Sequence, residues 1–176
     1  MIDQTPVAEF DPHHDPAKLA EIGAHVGRRL DVDPRVRRFA LADAQVYVYE
    51  GFLSIDECKG LIQLIDATAI PSTLYEGGPA SFRTSDSCHP DRNNPLVSLV
   101  EARMSDVLGI DNSHAETMQG QRYFAGQEFK PHHDFFHLDQ AYWKVERLGG
   151  GQRTWTAMIF LDEPESGGNT EFPELG

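Results

Sequence analysis

The spacing of apolar residues changes between Gly109 and Glu116, and that change restricts the chain to a fold in which helices come first and strands follow. Behind Asn94-Pro95, residues Leu96, Val100, Met104 and Val107 recur at helical intervals, and Gly109 stands where a C-terminal cap belongs. Ser54-Ile55-Asp56-Glu57 has the form of a capping box, followed by Cys58, Leu61, Ile62 and Ile65 on one helical stripe. Asp15-Pro16 reads as an N-cap with proline in the first turn, and Leu19, Ile22, Val26 and Leu30 continue at helical spacing, weakened by Gly23 and Gly27. Gln45 to Tyr49 is a short β-type run between these helices. From Glu116 onward the pattern predicts strands at Gln119 to Phe124, Glu128 to Asp134 and Trp155 to Leu161, punctuated by Gly126, Gly149-Gly150-Gly151 and Gly167-Gly168. The class this describes is α+β.

Length and charge narrow the function. At 176 residues the chain is one domain by size. Acids outnumber bases 28 to 15, a formal charge of −13, which removes the electrostatic basis for binding nucleic acid or an anionic membrane surface. No apolar run approaches the roughly 20 residues that span a bilayer, and the N-terminus does not read as a signal peptide. Two cysteines, Cys58 and Cys88, are too few for a disulfide framework and suit reduced thiols in a cytoplasmic protein. Residues 1 to about 14 read as poorly ordered. Pro71 to Asn94, rich in Gly, Pro, Ser, Asp and Asn, reads either as a lid over a binding site or as a disordered surface loop.

The run from Tyr123 to Asp134 carries the chemistry. Side chains alternate faces along a strand, so His132 and Asp134 project to one side and His133 to the other. An imidazole and a carboxylate held this way are two of the three ligands of the 2-His-1-carboxylate facial site, which leaves positions open on ferrous iron. The bland alternative is a polar surface strand, since His13-His14 shows paired histidines elsewhere without evident chemistry. A local site from His132, Asp134 and His137 is conceivable but irregularly spaced.

Four blocks in order resemble the iron(II)- and 2-oxoglutarate-dependent dioxygenases, of the prolyl 4-hydroxylase type. They are Phe52-Leu53-Ser54 through Cys58 and Leu61-Ile62; Phe82-Arg83-Thr84-Ser85; Tyr123 to Asp134; and Arg153 to Pro173, whose end is similar to the family's Gly-Gly-x-Thr-x-Phe-Pro signature. The resemblance implies a double-stranded β-helix, or jelly-roll, core with N-terminal supporting helices. It divides the chain into a helical extension, 1–44, and an oxygenase domain, 45–176. It implies Fe(II), 2-oxoglutarate as cosubstrate and ascorbate as reductant, with His132 and Asp134 as iron ligands. Tyr123 and Thr170 would bond the 2-oxoglutarate carboxylates, against the plainer readings of a core tyrosine and an ordinary strand threonine. Arg83 and Trp155 are weaker candidates for substrate contact, against a structural salt bridge and sheet packing.

The implied reaction is hydroxylation of an unactivated carbon, in proline of a peptide or protein or in a small amino-acid-like substrate. Family members continue beyond the Phe-Pro signature, where the distal histidine and the basic 2-oxoglutarate anchor lie, so neither residue has a counterpart by Gly176. The jelly roll is accordingly expected to lack its last strands, and the exposed sheet edge to favour self-association. The alternative reading is a non-catalytic jelly-roll binding module or a truncated fragment.

Overall fold

The computed structural model describes Asp11, residues 13–74 and residues 79–175. The expected disorder at the start falls mostly outside these residues, as does the tip of the expected lid, Tyr75 to Gly78.

Three helices form where their end signals place them. Helix α1, Pro16–Asp31, is capped by the Asp15 carboxylate, which accepts from the amides of Ala17 and Lys18. Helix α2, Ile55–Thr68, carries the complete capping box: Ser54 Oγ accepts from the Glu57 amide, and the Glu57 carboxylate accepts from the Ser54 amide at 2.7 Å. Helix α3, Pro95–Leu108, starts at Asn94 and ends on Gly109 at φ 68°, a left-handed conformation that glycine adopts without steric penalty. Arg29 of α1 donates to the carbonyls of Asp106 and Val107, satisfying acceptors that the end of α3 leaves open.

The core lies between α2 and α3. Leu61, Val97 and Val100 are buried, and Phe52, Leu53, Leu64, Leu96, Met118, Ile159 and Leu161 pack against them. The buried stripe of α3 thus includes Val97 in addition to the expected Val100, and it also takes in Glu101, whose carboxylate is held by Arg92 at 3.0 Å. A second tie joins the helices, because Arg103 donates to Glu57 Oε1 at 2.8 Å and to the Phe52 carbonyl at 2.9 Å.

Two small antiparallel sheets complete the α+β arrangement. Strands β1, Val36–Arg38, and β2, Tyr47–Tyr49, form a pair with Arg37 opposite Val48. Strands β3, Ile70–Pro71, β4, Asp86–Cys88, and β5, Gly120–Arg122, lie in that order and rest on α2. Gly120 permits this approach: a Cβ there would meet Ile65 Cγ1 at 2.5 Å and Cys88 Sγ at 2.9 Å. The Pro71 to Asn94 stretch is therefore not simply a lid or a loose loop. It contributes Pro71 and all of β4 to the sheet, and Ser85 within it is 1% exposed.

Two expected strands do not form as ladders. Residues 128–130 pair with 82–84, through Thr84 N–H to Glu128 O and Lys130 N–H to Phe82 O, each 2.9 Å. Pairing stops there, and Pro131 and the bends that follow it carry the chain away from an extended path. Along residues 155–161, Trp155, Ile159 and Leu161 are half-buried and Thr156, Met158 and Phe160 exposed, an alternation broken at Ala157, which is exposed on the inward register. No ladder includes them among the described residues, so packing on the core and side-chain contacts, rather than a backbone ladder, hold their extended form. Met158 and Phe160 are exposed. Helix α4, Trp143–Gly149, was not expected; buried Trp143 anchors it by donating from Nε1 to Asp11 Oδ2 at 2.9 Å. No helix among the described residues is long and apolar enough to cross a membrane.

Candidate functional site

The short pairing of 82–84 with 128–130 places Arg83 beside Phe129, with the guanidinium 4.7 Å from the ring centroid. Phe129 stacks in turn on the His132 imidazole, centroids 3.8 Å apart and planes inclined by 22°. His132 Nδ1 lies 2.8 Å from the Lys130 carbonyl. A carbonyl oxygen can only accept, so the neutral ring carries its proton on Nδ1 and presents a lone pair at Nε2.

That lone pair faces a carboxylate. His132 Nε2 and Asp134 Oδ1 are 3.4 Å apart, on side chains 35% and 45% exposed. Two electron-pair donors converging in this way are satisfied by a cation or by a second proton on the imidazole. Asp134 is held from the extended segment: Thr156 Oγ1 donates to its Oδ2 at 2.5 Å, and Arg153 Nη1 donates to its main-chain oxygen at 2.9 Å. Arg153 is itself fixed by Glu116, Nη2 to Oε2 2.6 Å.

The strand expected around the pair is not continued: the chain bends at Pro131 and again at Asp134 and Phe135. His133, Phe135 and His137 form a row of rings of their own, with centroids 4.8 Å and 5.1 Å apart. His137 is thus engaged away from the pair, and the conceivable local site of His132, Asp134 and His137 is not assembled: no group of three His, Cys, Asp or Glu able to hold a metal occurs among the described residues.

The remaining candidates divide. Tyr123 and Arg83 stand at the two ends of one polar row: Arg83 Nη2 donates to Gln119 Oε1 at 2.9 Å, Gln121 Nε2 donates to the same oxygen at 3.0 Å, and the Tyr123 hydroxyl donates to Gln121 Oε1 at 2.9 Å. Arg83 also donates to Ser85 Oγ at 3.1 Å. These partners are neutral, in place of the salt bridge weighed above, and burial pushes the Arg83 guanidinium below its ordinary value. Trp155 turns toward Tyr47 of β2, centroids 6.0 Å apart, and its Nε1 is buried without a hydrogen-bond partner. Thr170 is exposed and is not joined to His132 or Asp134.

Sequence reasoning did not single out Phe129, Gln119, Gln121 or Thr156. Gln119, Gln121 and Tyr123 were accessible from their i, i+2 spacing alone. Phe129 and Thr156 required knowledge of which segments meet.

The chain is 33% identical over 137 residues to "Probable prolyl 4-hydroxylase 3" of Arabidopsis thaliana, covering 74% of this chain and 46% of that protein. It is 34% identical over 137 residues to "Prolyl 4-hydroxylase 5" of the same plant, covering 74% and 45%. By sequence the chain is similar to prolyl 4-hydroxylases over about three quarters of its length. The human "Prolyl 4-hydroxylase subunit alpha-1" is 37% identical over 83 residues, 47% of this chain and 15% of that one. The chain spans just under half the length of the plant hydroxylases it matches. No family model matches it.

Proposed function

We propose that the protein acts as an iron(II)- and 2-oxoglutarate-dependent oxygenase that hydroxylates an unactivated carbon, in proline of a peptide or protein. The observation that carries this reading is the convergence of His132 Nε2 and Asp134 Oδ1 with no hydrogen between them in the neutral tautomer. A neutral imidazole nitrogen and a carboxylate oxygen are ligands suited to ferrous iron. The set fits the metal as two of three protein ligands; no third lies among the described residues. Bound there, ferrous iron with 2-oxoglutarate and dioxygen would supply the oxidant for C–H hydroxylation, one oxygen atom of dioxygen going to the substrate and the other to succinate with release of carbon dioxide, and ascorbate would restore over-oxidised iron.

This chain's residues divide the remaining work. Tyr123 is the donor assigned to the 2-oxoglutarate carboxylate, since a phenol is a strong donor to an oxyanion. Thr170 is the second. Arg83, charged and with only neutral partners, is placed to attract a substrate carbonyl or carboxylate, and Trp155 is the apolar candidate. The jelly-roll reading extends to residues 45–176, with residues 1–44 as a supporting extension. It draws on the inward and outward alternation of 155–161, whose backbone is open to further pairing.

The test is an anaerobic titration of the protein with Fe(II) and 2-oxoglutarate, watching for the visible charge-transfer band of the chelate. The band is expected in the wild type and absent in His132→Ala and Asp134→Ala. A band that survives both substitutions overturns the assignment. No band in any of the three supports the second reading, a non-catalytic binding module, which rests on there being two ligands among the described residues.

A further inference from the structure

Asp134 is exposed and its carboxylate is free to rotate about its last bond, yet it presents a defined edge to His132. The cause lies 22 residues further on, in Thr156. An ionised carboxylate only accepts hydrogen bonds, so the Thr156 hydroxyl is the donor in the 2.5 Å contact to Oδ2. That length is typical of a charge-assisted O–H···O⁻ bond. With Oδ2 committed to the protein, Oδ1 is the oxygen left facing Nε2.

The position of the hydroxyl is set by the core. Ile159 and Leu161 pack against Leu61, Val97 and Val100, and Trp155 lies on Tyr47, which fixes the inward face of the extended segment. Side chains two apart share a face, so Thr156 is held outward, toward Asp134. Threonine is stiff at χ1, and its hydroxyl direction follows from the backbone. Arg153, three residues earlier, clamps the main-chain oxygen of the same aspartate at 2.9 Å. Asp134 is therefore fastened at its backbone and at one carboxylate oxygen by a single segment whose register the core determines.

We infer that Thr156 is a positioning residue for Asp134: it reserves Oδ2 and so leaves Oδ1 as the one oxygen offered, with His132 Nε2, to a divalent cation. The inference rests on the reading of His132 and Asp134 as a metal pair. It assigns the aspartate a one-oxygen mode of binding, and partners of this kind commonly alter metal affinity by about 10- to 100-fold.

The experiment is a titration of the full chain with Co(II), following the visible ligand-field absorption, for the wild type, Thr156→Val, Thr156→Ser and His132→Ala. Valine keeps the shape and the strand preference but removes the donor, while serine restores it. Far-UV circular dichroism and the urea midpoint check that each variant is folded. The expected result is a Co(II) affinity about tenfold weaker in Thr156→Val, an altered absorption band as the freed carboxylate turns both oxygens to the metal, recovery of both in Thr156→Ser, and loss of binding in His132→Ala. Binding that is lost in His132→Ala but unchanged in affinity and spectrum by Thr156→Val overturns the role of Thr156 and leaves the metal pair standing. Binding that persists in His132→Ala, or no binding by the wild type, overturns the metal pair and this inference with it.

Discussion

The α2–α3 half of the molecule and the segment from Thr154 to Leu175 both send side chains into one core and reach opposite outcomes. In the first, Val97 and Val100 are fully buried, both helices are capped by side chains, and Arg103 to Glu57 ties one helix to the other. In the second, Ile159 and Leu161 reach the same core while Met158, Phe160 and Phe172 are 57%, 64% and 53% exposed. The difference shows what each element needs. A helix satisfies its own backbone and requires only an apolar partner, whereas a strand requires a neighbour at its edge as well. The proposed metal pair sits where these two regimes meet: Phe129 and Lys130 belong to the last paired residues, and His132 and Asp134 follow Pro131.

Amide hydrogen exchange should separate the two regions most sharply. Amides of Leu64, Ile65, Val100 and Met104 lie inside helices, while those of Thr154 to Asp162 have no backbone acceptor among the described residues. Protection in the helices should exceed that in the segment by on the order of a thousandfold or more, the factor that global stability confers on core amides. Equal protection at Val100 and Met158 would break the comparison. Protection of 154–162 that rises with protein concentration would instead identify a second copy pairing along the open edge.

Cavity creation comes next. Leu61 is 4% exposed at the centre of the helical core, so Leu61→Ala should destabilise by about 2–5 kcal/mol, read as a fall in the urea midpoint with an unchanged slope. A loss under about 1 kcal/mol would show that the α2–α3 contact relaxes as readily as the exposed segment.

The ion pair between the helices gives a smaller, pH-dependent effect. Hydrogen bonds from Arg103 first, and then from Ser54, hold the Glu57 carboxyl at about 2, below its ordinary 4.5. Because the folded value is depressed, this stabilisation is complete above pH 4.5 and is lost as pH falls from there through about 2. Glu57→Gln should therefore flatten the acid limb of the stability profile in that window. An unchanged acid limb would remove Glu57 from the set of groups that couple α2 to α3.

Much of this division was legible in the sequence, for identifiable reasons. Ser54-x-x-Glu57, Asn94-Pro95 and Asp15-Pro16 state local contacts between residues two or three apart, and all three helices begin there. His132 and Asp134 meet as their spacing of two suggested, although the chain there bends and is not a strand. Where a contact joins distant segments, the sequence was silent: Phe129 beside Arg83, Thr156 on Asp134, and Asp11 on Trp143 span 46, 22 and 132 residues. The strand expected through Pro131 ends after Lys130, where the chain bends. The short α4 helix lacked a side-chain cap to announce it.

The smallest effect tests the segment by itself, through two adjacent residues of opposite facing. Ile159 packs against the α2–α3 cluster, and Phe160 beside it is 64% exposed. Truncating Ile159 to alanine should cost about 1–2 kcal/mol, a part of the 2–5 kcal/mol typical of full burial. Phe160→Ser should lie within about 0.5 kcal/mol of the wild type, because it removes almost no contact from the folded chain. The paired measurement discriminates by its contrast, and urea unfolding at low protein concentration provides it. If Phe160→Ser costs as much as Ile159→Ala, the outward face of the segment is covered in solution. Thr156, which shares that face, would then act in an enclosed site in which its bond to Asp134 is stronger than at an open surface.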